Sequence, residues 1–140
     1  MAGYSDTPLV KKLGIKPKDK IKIVGAPDEY WSWISPVPEG VSTTGKYFNF
    51  IHLFSQKRKS FEKDLLSLQK RMTQDGMIWV SWPKKSAKMD SDLDENIIRD
   101  FALKNKLVDI KVCAVSDLWS GLKLVIPVKL RKTSRKPSEI

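Results

Sequence analysis

The run Phe48-Asn-Phe-Ile-His-Leu-Phe54 does most to limit what this chain can become. It is nearly continuous in apolar side chains, so a strand built from it is covered on both faces. Such a strand needs helices above and below it, and the following sequence supplies one. From about Lys57 to Gln74, Phe61, Leu65, Leu68 and Met72 recur at helical spacing, while Lys57, Arg58, Lys63, Lys70 and Arg71 fill the remaining surface. Ser55 stands at the cap position, and Asp75-Gly76 reads as the glycine stop. A second strand follows in Met77-Ile-Trp-Val-Ser-Trp-Pro83, ended by a proline that cannot donate to a ladder. Strand, helix and strand in that order imply a right-handed parallel crossover.

The flanking segments extend the pattern. Residues 1–19 lack periodicity, carry Pro8 and Pro17, and read as an extended N-terminal arm. Ile21-Lys-Ile-Val24 is a short strand stopped by Gly25-Ala-Pro27. Asp28 then caps a helix reaching Ile34, with Tyr30, Trp31, Trp33 and Ile34 as its apolar surface. Two prolines and a glycine make 35–40 a loop, and Val41-Ser-Thr-Thr44 reads as a brief polar edge strand. After the polar loop from Lys84 to Ser91, Ser91-x-x-Asp94 opens a helix whose buried stripe is Leu93, Ile97, Ile98, Phe101 and Ala102. Two alternating strands close the domain. In 108–115, Val108, Ile110, Val112 and Ala114 face inward against Asp109, Lys111 and Cys113. In 118–128, Leu122, Leu124, Ile126 and Val128 are the apolar set, and the short connection makes the pair an antiparallel hairpin. The expectation is a single three-layer, Rossmann-like α/β domain over 1–128 with about six strands, followed by a basic tail over 129–140.

Composition narrows the chemistry. At 140 residues, with 41% hydrophobic and 30% charged residues, the chain is large enough for one real core. Cys113 is the only cysteine and His52 the only histidine, which excludes an internal disulfide and removes multi-thiolate and His-pair metal sites. No apolar run approaches the roughly 18 residues of a membrane span, and the N-terminus lacks a secretory pattern, so a cytoplasmic protein without membrane contact is expected. The formal charge of +10 is spread along the chain, with five basic residues in 129–136. Charge distributed in that way favours weak anion or nucleic-acid attraction over sequence-specific recognition.

In an open α/β sheet, ligands bind at the carboxyl ends of the strands. Trp82, Lys84 and Lys85 follow one central strand, Gly25 and Ala26 end the first, and Ser55 ends the strand between them. These six are the candidate binding residues, and the ammonium groups suit a phosphate or carboxylate on a small molecule or nucleotide. His52, inside an apolar strand, reads as a hydrogen-bonded core residue, and Cys113 as a packed thiol. Trp119 at the final hairpin covers the open end of the core or stacks on an aromatic ligand. No residue pattern identifies a cofactor or a catalytic group.

The order of elements resembles the carboxyl half of the S-adenosylmethionine-dependent methyltransferase fold. That resemblance implies a sheet order 2-1-3-4-6-5 for the six strands, with the last strand antiparallel and inserted beside the fourth. The family's motifs are missing. Val24-Gly-Ala-Pro-Asp28 has one glycine and a proline where the family has a glycine-rich turn that cradles the cofactor's carboxypropyl end. Val41-Ser-Thr-Thr-Gly45 lacks the acid for the ribose hydroxyls, and Phe54-Ser-Gln-Lys57 stands where a catalytic Asp/Asn-Pro-Pro-aromatic is expected. The resemblance thus implies either a binding or accessory domain or a divergent methyltransferase. Three longer blocks carry a second resemblance. Gly3 to Ile15, Trp79-Val-Ser-Trp-Pro-Lys-Lys85, and Lys111-Val-Cys-Ala-Val115 with Trp119-Ser-Gly-Leu122 resemble a small bacterial family, domain of unknown function 3052. It implies a bacterial, cytoplasmic protein and brings no catalytic residues to carry over.

Overall fold

The computed structural model describes residues 7–132. Its elements in chain order are α1 (Leu9–Leu13), β1 (Ile21–Val24), α2 (Tyr30–Trp33), β2 (Phe48–Phe54), α3 (Arg58–Gln69), β3 (Met72–Pro83), α4 (Glu95–Lys104), β4 (Val108–Ala114) and β5 (Trp119–Val125). The five strands form one mixed sheet in the order β1-β2-β3-β5-β4. β1, β2 and β3 are parallel, and β5 lies antiparallel between β3 and β4.

The apolar pattern of β2 has the meaning its sequence implied. Phe48, Ile51 and Leu53 enter a core with Phe61, Leu65 and Leu68 of α3 and with Ile98 and Ala102 of α4. Phe50 and Phe54 enter the opposite core with Leu13 of α1 and with Tyr30 and Ile34 at α2. Helices on both faces make three layers. Trp79 of β3 is fully buried in the second core, and its indole N–H donates to the Leu13 carbonyl at 2.9 Å. That contact pins α1 to the sheet, so Leu9–Leu13 is a helix where an extended arm was expected. Residues 1–6 of the expected arm lie outside the described residues, as does the tail from residue 133.

The sheet has five strands where six were expected, so the order 2-1-3-4-6-5 is corrected. Val41-Ser-Thr-Thr44 contributes only a single parallel bridge, Ser42 to Lys20. The cause is local: the Thr44 N–H donates to Ser42 Oγ at 3.2 Å, and hydroxyls that capture neighbouring backbone donors compete with a ladder.

Helix α3 ends at Gln69, five residues before the expected stop. Met72 continues the spacing of Leu68 but is the first residue of β3, and it is buried there. Asp75-Gly76 lies inside that strand. Phe48 pairs with Met72 and Phe50 with Met77, so the residues between bulge out of register. Gly76 allows this, since a Cβ there would lie 2.8 Å from Thr73 Oγ1 and 3.1 Å from the Asn49 backbone.

The caps also differ. Asp28 does not cap α2; Glu29 holds that position without a side-chain hydrogen bond. At α3 the cap position is Lys57, and the Arg58 N–H donates to the distant Asp92 carboxylate at 2.6 Å. α4 is capped by Asp94, which accepts from the Ile97 N–H at 2.8 Å, while Ser91 accepts from Leu93 outside the helix.

In β4, Ile110 and Val112 are 55% and 52% exposed, against their expected inward orientation. β4 is the sheet edge, and a register shift between Asp109 and Lys111 leaves Ile110 without a partner on β5. β5 ends at Val125; Val128 belongs to a short 3-10 turn after Pro127 and is exposed.

Candidate functional site

Topology places the working edge. From β1 the chain moves outward to the Ser42 bridge, then returns across β1 to form β2. The carboxyl ends of β1 and β2 therefore flank a switch point, where open α/β sheets leave a crevice. Two clefts lie there and share one wall, Gly25-Ala26-Pro27.

The first cleft, about 410 Å³, is lined by Ile21, Lys22 and Ile23 along β1, with Asp28, Trp31 and Thr43 completing it. Trp31 is 44% exposed, an aromatic face with one side in water. The second, about 470 Å³, is bounded by Phe54, Ser55 and Gln56 after β2, by Lys57, Ser60 and Asp64 of the first turns of α3, and by Trp119. Both volumes are in the range of small-molecule sites. Gly25 has φ 74°, and a Cβ on it would meet the Phe54 carbonyl oxygen at 2.7 Å. The glycine is required because the two loops touch through their backbones.

Each cleft carries one lysine and one aspartate. Lys57 Nζ lies 2.8 Å from Asp90, and that hydrogen bond is the first cause raising its pKa. Helix geometry leaves first-turn N–H groups without intrahelical partners, and Ser60 sits in that turn at the cleft. The α3 start thus combines the positive end of a helix dipole with a cation paired to Asp90, and its Arg58 N–H is taken by Asp92.

Of the six expected binding residues, the structure brings Gly25, Ala26 and Ser55 together in the second cleft. Trp82, Lys84 and Lys85 line neither cleft. Trp82 points into the core beneath α3 and α4. Lys84 begins the turn after β3, its N–H donating to the Leu118 carbonyl at 2.9 Å, and Lys85 is exposed in that turn. Lys22, Asp28, Trp31, Thr43, Lys57, Ser60 and Asp64 were not singled out from sequence. The switch-point rule was the available signal, since it joins the loops after adjacent strands, but it needs the strand order first.

His52 is fully buried between two hydroxyls. Tyr30 Oη is 2.8 Å from Nδ1 and Ser81 Oγ is 2.8 Å from Nε2. A neutral imidazole accepts through one nitrogen and donates through the other, so both rings and the serine are satisfied. Burial holds the His52 pKa down to about 3 and pushes Tyr30 up. Cys113 is half-buried against the α1 core, where burial raises its pKa more than Lys12 and Lys111 lower it. A raised thiol pKa does not favour a nucleophile. Among the described residues no cluster of His, Cys, Asp and Glu could hold a metal ion, and no helix is long and apolar enough to cross a membrane.

No family model matches the chain, and no curated protein does. Solved structures do. A magnesium protoporphyrin IX methyltransferase from Synechocystis, with bound SAH, aligns with TM-score 0.56 at 10% identity over 84% of this chain and 77% of its own. A SAM-dependent methyltransferase from Aquifex aeolicus gives 0.54 at 12%, covering 84% and 87%. A ribosomal protein methylase from Lactobacillus delbrueckii gives 0.52 at 12%, covering 84% and 74%. At such identities the likeness is one of fold: the chain has a methyltransferase-like, Rossmann-like α/β architecture.

Proposed function

We propose that this chain is a binding domain for an anionic nucleotide-like small molecule, held across the two clefts that meet at Gly25-Ala26-Pro27. The observation that carries the reading is the different character of the two ends. Trp31 offers a stacking face beside the hydroxyl-binding groups Asp28 and Thr43, while Lys57, on exchanging Asp90 for the ligand, and the first turn of α3 beyond the Arg58 N–H held by Asp92 offer donors for a phosphate or carboxylate. Gly25, Ala26 and Ser55 line the path between them. Lys84 and Lys85 add positive charge at the carboxyl edge of β3 and act on the ligand at longer range. Membership of the domain of unknown function 3052 family, with its bacterial and cytoplasmic implication, belongs to the same proposal.

The fold likeness favours a second reading, a divergent S-adenosylmethionine-dependent methyltransferase. The residues present do not fit the family's cradle for the carboxypropyl end. The space above Gly25 is taken by the Phe54 carbonyl, and Pro27 has no N–H to offer.

Thermal-shift measurements with AMP, ATP, S-adenosylmethionine and inorganic phosphate test the reading, because a ligand of the native state raises Tm. A ligand at about a hundred times its Kd adds about 2.7 kcal/mol, well within detection. The expected result is a rise with adenine nucleotides that falls in Lys57→Ala. Lys84→Ala with Lys85→Ala should weaken binding only at low salt, as screened long-range charges do. A rise with S-adenosylmethionine alone would replace this proposal by the transferase reading, and no rise with any nucleotide would end it.

A further inference from the structure

Strands β4 and β5 place Lys111 directly opposite Lys123 in their antiparallel ladder. Like charges in that position are destabilising. Both lie on the α1 side of the sheet, because Lys123 is also opposite Trp79, whose indole reaches Leu13. α1 adds a third cation. Lys12 Nζ donates to the Ala114 carbonyl at 3.3 Å, and Lys111 Nζ donates to the Lys12 carbonyl at 3.1 Å. Lys16, just beyond α1, is a fourth; with burial as the first cause, Lys111 and Lys16 lower the pKa of Lys123. Among the described residues, none of the four takes part in an ion pair. Asp19, the carboxylate beside Lys16, accepts from the Lys16 backbone N–H at 2.9 Å and pairs with none of the four ammonium groups, so an outside anion would relieve their mutual repulsion.

We infer that Lys12, Lys16, Lys111 and Lys123 form a docking patch for the phosphate backbone of a double-stranded nucleic acid. The ammonium is a compact point charge that binds phosphate oxygens without demanding a fixed orientation. The net charge of +10 adds long-range attraction to a polyanion. Single strands are held by stacking bases on exposed aromatics, and Trp79, the aromatic opposite Lys123 in the ladder, is fully buried. Contact is therefore with the backbone, independent of sequence, and distinct from the clefts beside Gly25.

Fluorescence anisotropy with a labelled duplex of about 20 base pairs, titrated between about 50 and 200 mM salt, tests this. Four neutralised phosphates give a slope of log K against log salt of roughly −3.6, a loss of about a hundredfold over that range. Lys111→Gln with Lys123→Gln, and independently Lys12→Gln with Lys16→Gln, should each reduce the slope by roughly 1.8. Lys59→Gln with Lys63→Gln on α3 removes the same charge elsewhere and should change it far less. Equal losses from all three pairs would show general charge attraction and overturn the patch. So would tighter binding of single-stranded than duplex nucleic acid, or displacement of the duplex by polyglutamate at equal charge.

Discussion

His52 shows how much a single buried residue can impose on this fold. It is the only ionisable ring in a strand covered on both sides, and it is satisfied as a neutral imidazole by Tyr30 and Ser81. Its pKa is about 3 in the folded state against about 6.5 when unfolded. Between those values the unfolded chain binds the proton and the folded chain does not, so stability rises with pH through that window and is lost as pH falls. Urea denaturation at a series of pH values should give a slope approaching about 1.4 kcal/mol per pH unit from this group near pH 5. His52→Gln should flatten its share of that slope while lowering stability at pH 7, because one hydroxyl loses its best partner. Gly25 is a second such position. Gly25→Ala must add a Cβ 2.7 Å from a backbone oxygen at a positive φ, so unfolding free energy should drop by about 1–3 kcal/mol. Denaturation with and without ligand separates that loss from any loss of binding. The packed role of His52 could be read from its apolar neighbours; the identity of its partners could not, since Tyr30 and Ser81 lie on other elements.

At the scale of elements, the sequence showed which segments are helices and strands better than where they end. The β2 run and the stripe of α3 are unambiguous because several side chains repeat the same period. The end of α3 was misplaced because Met72 keeps the helical spacing while sitting in a strand, and because Asp75-Gly76, a common stop signal, here serves a bulge. Edge strand β4 misled through a related cause: alternation predicts which residues share a face, not whether anything covers that face. Capping was the least legible feature. Ser55 and Asp28 are ordinary cap residues in sequence, yet the α3 start is served by Asp92, from a loop 34 residues away. Asp92→Ala should therefore destabilise the fold by about 1 kcal/mol, measured by chemical denaturation, with an additional loss of order at the second cleft that α3 borders. An unchanged midpoint would show that water replaces the carboxylate at no cost.

For the molecule as a whole, sheet topology is what converts local structure into a site. Gly25, Ala26 and Ser55, the expected binding residues that line the second cleft, were legible because they follow the ends of β1 and β2, and strand ends are readable. Lys57, Asp28 and Trp31 were not, because the clefts they line share the Gly25-Ala26-Pro27 wall only when β1 and β2 pair side by side. The methyltransferase-like architecture supplies the crevice, and at its centre the Phe54 carbonyl oxygen packs directly against Gly25. What remains is a divided cleft with an aromatic end and a charged end. Isothermal titration of the full chain with AMP and with adenosine measures that division directly. Both should bind, AMP more tightly; Lys57→Ala should remove the difference, and Trp31→Ala should weaken both. Equal affinity for the two ligands in the wild-type chain, or no heat with either, would contradict this reading.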